Sequence, residues 1–336
     1  MRRLIKTDHL ARVEGEGGVV IEIAGGRVSK VHMRIFEAPR FFEPFLIGRP
    51  CQDVIDFTAR ICGICPVAYQ MSSVHAIEKI FGVTVSPQVR KLRRLMYCGE
   101  WIESHALHVY LLQGPDFYGL ESAWAGKEYL EMAKRGLRFK KLGNDILTIL
   151  GGRPIHPVSV KVGGFFRTPS KKALASLLPE LNDAYAESLK AIRWAAALEF
   201  GDHSLDAEFV SIDDTEGYPM NSGRIISTKG LDESFEGFFA SIEEYQVDYS
   251  TALHSGLRRE GALIPYVVGP LSRLNLNHQK LPSEVKSTIY ESGITLPISN
   301  IRMGIVARSI EISYAFYEAM RIIRDYEEPE KPCEIF

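Results

Sequence analysis

Three long runs of apolar residues at helical spacing constrain this chain most. Leu92, Leu95, Ile102, Ala106, Val109 and Leu112 form one stripe, closed by Gly114-Pro115. Leu130, Ala133, Leu137, Leu142, Ile146 and Ile149 form a second, closed by Gly151-Gly152. Ile301, Ile305, Ile312, Ala315, Ala319 and Ile322 form a third and predict a helix over about 300–325. Apolar residues three, four and seven positions apart share one helix face, and each such face must be buried against another. No linker-like change of composition separates the runs, so they predict one mainly helical body. With 336 residues and 46% hydrophobic content, the chain can bury a large core, in one domain or two closely joined ones.

Smaller β elements accompany the helices. Residues 18–36 read as a hairpin: Val19, Ile21 and Ile23 alternate, Gly25-Gly26 turns the chain, and Val31, Met33 and Ile35 alternate on the return. Residues 156–167 look extended around Gly163-Gly164. Residues 170–200 read as a helix capped by Ser170, which Pro179 must kink or break. The region 205–262 is irregular, with short strand-like runs at 209–212 and 224–227. Pro265, Pro270, Asn275, Asn277, Pro282 and Pro297 mark 264–299 as loop. The expected fold class is mainly α with smaller β elements (α+β). It divides into a β-rich lead-in over 18–60, a helical core over 61–200, an irregular α/β insertion over 201–299 and a long helix over 300–325.

Charge and cysteine usage exclude some classes. The formal net charge is −2 and no basic block appears, so neither a nucleic-acid partner nor an anionic lipid surface is expected. Five cysteines, an odd number in a chain this long, do not make a disulfide framework. The arginines at positions 2 and 3 lack a following apolar segment, and no membrane span is legible. A cytoplasmic protein is the default expectation.

Ahead of the first stripe lies Arg60-Ile61-Cys62-Gly63-Ile64-Cys65-Pro66, which sets two thiols three residues apart on a turn. Pro66 suits a first helical position, where its missing N–H forfeits nothing. Val67, Met71, Val74, Ile77 and Phe81 then recur at helical spacing, and Gly82 is a fitting stop. Both sulfurs are therefore expected near the positive end of a helix, which favours the thiolate that binds metal or does redox chemistry. A structural zinc site needs about four ligands, and no second Cys-x-x-Cys or finger-spaced histidine pair is present. A thioredoxin-like dithiol belongs at a strand end in a small α/β unit, whereas this pair follows a Phe- and Pro-rich stretch and opens into helices. Two readings stay open: half of a soft-metal site completed elsewhere, or two buried thiols with no role.

Other residues are ambiguous taken singly. Glu14, in Arg12-Val13-Glu14-Gly15-Glu16-Gly17, belongs either to a polar turn or to a glycine-flanked loop delivering a proton-relaying carboxylate to a buried site. Glu43, in Phe41-Phe42-Glu43-Pro44-Phe45, is a partnered buried charge, a hard-metal ligand or an exposed loop residue. His105 and His108 share a helix face and are expected to be packed and hydrogen-bonded rather than ligating. His156 precedes Pro157 in a glycine-rich stretch and says little alone.

Together these segments resemble the large subunit of nickel–iron hydrogenases. The resemblance rests on Arg12-Val13-Glu14-Gly15, Pro39-Arg40-Phe41-Phe42-Glu43, Gly48-Arg49 and the stretch from Thr58 to Pro66. It continues through Glu103-Ser104-His105-Ala106-Leu107-His108-Val109-Tyr110, Gly151-Gly152-Arg153-Pro154-Ile155-His156-Pro157 and Gly163-Gly164, in the family's order. Pro66-Val67-Ala68-Tyr69-Gln70-Met71 and the segment from Gly269 to Asn277 are most similar to the cytoplasmic branch linked to NAD(P), also called sulfhydrogenase.

The resemblance implies a protein that catalyses reversible heterolytic oxidation of hydrogen. In that family four cysteine thiolates hold a nickel–iron centre whose iron carries carbon monoxide and cyanide. By resemblance Cys62 is a terminal nickel ligand, Cys65 a bridging one, and Glu14 passes protons away. Glu43 lies nineteen residues before Cys62, the family's interval for a carboxylate ligand to a separate magnesium or iron ion. His156 matches a histidine near an iron–sulfur cluster of the small subunit. The implied partners are that small subunit, flavin- and NAD(P)-binding subunits, and maturation proteins.

The family's second cysteine pair, in an Asp-Pro-Cys-x-x-Cys-x-x-His segment, and its Pro-Arg-Gly segment have no counterpart in residues 1–336. Cys333 follows Pro332 as such a pair begins, but no second thiol follows it. The expectation is a large-subunit domain over 1–336 lacking its C-terminal portion, with its metal site completed elsewhere. Two other classes share the scaffold: a non-catalytic structural or assembly subunit, and the quinone-reducing subunit of respiratory complexes. The latter relatives do not carry the cysteine pairs.

Overall fold

The structure, a computed structural model, describes residues 2–334. Strands β1 (Arg2–Thr7), β2 (Gly17–Ala24) and β3 (Arg27–Ile35) form an antiparallel sheet in that order. The hairpin expected over 18–36 is β2–β3. Val19 pairs with Met33 and Ile21 with Val31, and Gly25 and Gly26 both take positive φ in the turn. Strand β1 was not legible in the sequence. It pairs along β2, from Arg2 opposite Ala24 to Thr7 opposite Val19, and is joined to it by the loop 8–16.

Short helices α1 (Phe42–Leu46) and α2 (Cys51–Ala59) lead into the Cys62–Cys65 turn. Helix α3 (Pro66–Phe81) starts at Pro66 and ends on a left-handed Gly82, as the pattern predicted. Helix α4 (Pro87–Ala106), capped by the Ser86 hydroxyl accepting from the Val89 amide, passes into a π-helical stretch, Leu107–Gln113, and a short α5 (Gly114–Asp116). Gly114-Pro115 therefore does not end the first stripe. Pro115 lies inside this continuous helical run, where it withholds an N–H from the preceding turn; the Tyr110 carbonyl there accepts from the Tyr129 hydroxyl at 3.0 Å.

The second stripe forms α6 (Leu130–Gly151). Of the extended 156–167 segment, only β4 (Val160–Lys161) and β5 (Gly164–Phe165) pair. The helix expected over 170–200 is broken as its proline demands, into α7 (Lys171–Ala175), capped by Ser170, and α8 (Leu178–Ala196), with Pro179 in its first turn. Next come β6 (Glu208–Asp213), β7 (Arg224–Ser227), β8 (Asp232–Glu233), α9 (Phe235–Ser241), β9 (Ile242–Tyr245), β10 (His254–Arg259), β11 (Ala262–Ile264) and β12 (Tyr266–Val267). They make two small sheets, ordered β12-β6-β7-β8 and β11-β10-β9.

The loop expected over 264–299 is corrected by the structure. It holds two helices, α10 (Pro270–Asn277) and α11 (Ser283–Glu291). Pro270 is the first residue of α10 and Pro282 immediately precedes α11, so these prolines start helices rather than interrupt them. The last stripe becomes α12 (Gly304–Arg324), entered through a 3-10 turn at Ile301–Met303.

The core is built from α4, α6, α8 and α12. Helix α12 is buried nearly all round, from Ile305 to Ile323, as befits a central helix. Helices α4 and α6 approach closely where Gly99 meets Gly143: a Cβ added at Gly143 would stand 2.5 Å from the Gly99 carbonyl oxygen. Val210, Ile225, Leu231 and Leu257 form a second, smaller core between the sheets. Among the described residues no helix is long and apolar enough to cross a membrane.

A candidate metal centre at the Cys62–Cys65 turn

Cys65 caps α3, and the chain folds back so that the Cys62 sulfur accepts from the amides of Ile64 at 3.3 Å and Cys65 at 3.2 Å. Both thiols are free and half-buried. The turn is pinned from two sides. Arg40 donates to the Ile61 carbonyl at 2.8 Å. From the core, Glu100 on α4 accepts from the amides of Val67 at 2.6 Å and Ala68 at 3.2 Å, the otherwise unpaired donors of the first turn of α3.

Burial governs the protonation of Glu100 and Cys65. The Glu100 carboxyl is pushed up to about 8 by burial, which outweighs the two amide bonds that favour its charge; nearby Glu103 raises it further. The Cys65 thiol is pushed well up, first by burial and then by Cys62. At Cys65, burial works against the thiolate that the helix start favours. A bound cation is what deprotonates such a thiol.

Glu14 reaches the turn from the β1–β2 loop. The Cys62 sulfur and Glu14 Oε2 lie 3.6 Å apart, in hydrogen-bonding geometry with the thiol donating. His156 approaches from the other side, its ring hydrogen-bonded to the Cys62 backbone. It sits at a left-handed φ of 49°, its carbonyl accepts from Arg153 Nε at 2.6 Å, and its Nε2 is buried without a partner. Burial and the Arg60 charge hold its pKa below the usual imidazole range. Cys62, Cys65, Glu14 and His156 therefore come together. Glu43 does not join them: it is exposed on α1, and its side chain has no hydrogen bond or ion pair among the described residues.

His105 is packed as expected, with Nε2 2.8 Å from Glu311 Oε2. Two carboxylates of the site were not anticipated. Glu100 and Glu103 sit on α4 among residues that its apolar stripe buries, and Glu103 is paired with Lys140. The signal was there: Glu100 and Glu103 lie three apart on a helix among the stripe residues Leu95, Ile102 and Ala106, and charges buried there need partners.

The donor set can be weighed directly. Among the described residues no group of three or more His, Cys, Asp or Glu side chains is placed to hold a metal ion. Two adjacent thiols fit a soft metal as part of a ligand set. A cavity of about 790 Å³ runs along α3 from Ala68 through Ser72 and His75 toward β6, β7 and α10; neither thiol lines it.

Comparison with known proteins identifies the family. Residues 40–128, which include the Cys turn, match the nickel-dependent hydrogenase family. The alpha subunit of sulfhydrogenase 2 of Pyrococcus furiosus is 34% identical over 96% of this chain and 75% of its own length. That of sulfhydrogenase 1 of the same organism is 31% identical over 95% of this chain and 74% of its own. An NAD+-reducing [NiFe]-hydrogenase in the H2-reduced state shares the fold, with a TM-score of 0.83 at 24% identity over 96% of this chain and 78% of that one. The Ni-Fe-Se hydrogenase of Desulfovibrio vulgaris Hildenborough in the reduced state aligns with a TM-score of 0.77 at 21% identity, over all of this chain and 81% of that one. The chain belongs to the nickel-dependent hydrogenases, as their large (alpha) subunit.

Proposed function

We propose that this protein oxidises hydrogen reversibly, with Cys62 and Cys65 as two thiolate ligands of the nickel–iron centre and Glu14 as the group that takes the proton away. The observation that carries the reading is the 3.6 Å contact between Glu14 and Cys62, residues 48 apart in sequence. A carboxylate held against a metal-ligand sulfur is placed to receive a proton released at the metals. The bound centre, its iron bearing carbon monoxide and cyanide, would polarise hydrogen and accept its electron pair. The chain's own residues do the rest. The Cys62 and Cys65 sulfurs orient the metals, and the Glu100 clamp fixes the helix that carries Cys65.

The two electrons leave through an iron–sulfur small subunit seated near His156, and pass through flavin- and NAD(P)-binding subunits to NAD(P) or a similar acceptor. Likeness to the sulfhydrogenase alpha subunits supports assembly with further subunits, and a cytoplasmic location is proposed with it. Glu43 is assigned to a separate magnesium or iron ion; its exposure on α1 leaves it free to meet further ligands.

Assembly with partner subunits and maturation proteins tests the reading. Cys62→Ser and Cys65→Ser are each expected to abolish bound nickel by metal analysis. Glu14→Gln should keep nickel yet lose about 100-fold or more in hydrogen-dependent viologen reduction. Stoichiometric nickel in either serine variant would refute the ligand assignment.

A further inference from the structure

We infer that Asp116 is a positioning residue for Glu14, acting through Arg12. The inference rests on the role of Glu14 proposed above. The β1–β2 connection lies at the surface, with residues 11–16 all exposed, so packing does little to fix it. Yet it must bring one carboxylate to one sulfur. Among the described residues, the hydrogen bonds tying residues 11–15 to the helical body are Glu14 to Cys62 and Arg12 to Asp116.

The second of these is a two-pronged grip. Arg12 Nη2 lies 2.8 Å from Asp116 Oδ1, and Nε lies 3.3 Å from Oδ2. A planar guanidinium held at both prongs fixes direction as well as distance. Arg12 also has a φ of 63°, a left-handed conformation that a non-glycine residue keeps only when something holds it there. The Asp116 pair supplies that hold. Two residues on, after the left-handed bend at Arg12 and before another at Gly15 (φ 80°), Glu14 meets Cys62. Asp116 is itself well anchored, since α5 continues the helical run of α4 and the π-helical stretch. Residues 12 and 116 are 104 apart, so local strand pairing does not impose the contact.

Alkylation of Cys62 by iodoacetamide, resolved by mass spectrometry, reports the loop on the purified chain with no metal present. Asp116→Ala should raise the Cys62 rate about fivefold, the effect of losing a favourable exposed ion pair. Arg12→Asn, which tolerates the left-handed conformation and leaves α5 untouched, should do the same. The exchanged pair, Arg12→Asp with Asp116→Arg, should return the rate toward wild type.

In the assembled enzyme, both single variants should lose about fivefold or more in hydrogen-dependent viologen reduction. Nickel content should be unchanged and the solvent deuterium isotope effect larger, and the exchanged pair should recover turnover. Wild-type alkylation and turnover in both single variants, with Glu14→Gln inactive, would overturn the positioning role and leave Glu14 standing. Wild-type turnover in Glu14→Gln would instead remove the role on which the inference rests.

Discussion

The imidazole of His108 lies beside the Arg308 guanidinium and His105. Burial, aided by those charges, holds its pKa down to about 3. Its Nδ1 is buried without a partner. An unfolded chain takes up this proton from about pH 6.5, whereas the folded one does so only near 3. The stability this group contributes is therefore full above about 6.5 and is lost as pH falls toward 3. His108→Gln should flatten that acid loss, read as the urea midpoint at pH 7.5, 5.5 and 4.5; an unchanged slope would place the acid sensitivity elsewhere. At this scale much of the site was legible. Cys62 and Cys65 stood out by residue type and spacing, Glu14 and His156 only through the family resemblance, and the structure brings the four together. Glu100 did not, because a carboxylate on a helix is ordinarily read as facing solvent. Only the neighbouring helix reveals that its partners are the Val67 and Ala68 amides.

Helices α3 and α4 meet at that carboxyl. Glu100→Ala leaves two amides unpaired at a buried helix start, at a cost of about 1–3 kcal/mol, and should loosen Cys65 enough to raise its alkylation rate. The carboxyl is pushed up to about 8, above its unfolded value, so its favourable contribution is full below about 4.5 and lost as pH rises through 8. Glu100→Gln cannot ionise. It should remove that alkaline loss in thermal melts between pH 7 and 9.5, and a persistent loss would assign it to another group. The elements themselves were read well where periodicity was long, as in α4, α6 and α12. Prolines misled where they stood at helix starts, so that α10 and α11 were taken for loop. β1 escaped notice because Arg2, Arg3 and Lys6 interrupt its apolar residues; its pairing is set by β2 and not by its own pattern.

Across the whole molecule, buried ions tie together segments far apart in sequence. Glu311 on α12 accepts from Arg273 of α10 at 2.7 Å on each oxygen, from Tyr218 at 2.9 Å, and lies 2.8 Å from His105 of α4. Although burial opposes its charge, Arg273 and His105 hold its carboxyl down to about 2. Glu311→Ala strands the Arg273 cation and should cost about 3–5 kcal/mol, seen as a lowered thermal midpoint by circular dichroism. A change within experimental error would mean that water replaces the lost partner. None of this network was legible in the sequence, since which buried charge meets which depends on how α4, α10 and α12 cross.

The same helix α4 carries Arg94, bound to Glu318 of α12, as well as Glu100 at the foot of α3. The thiol turn is thus set by a carboxylate that is itself in place only after α4 has docked. A nascent chain offers two mobile cysteines, and a finished core offers a fixed pair. Under the ligand assignment proposed above, only a chain whose central helices are already packed presents the two sulfurs to a metal as a fixed pair.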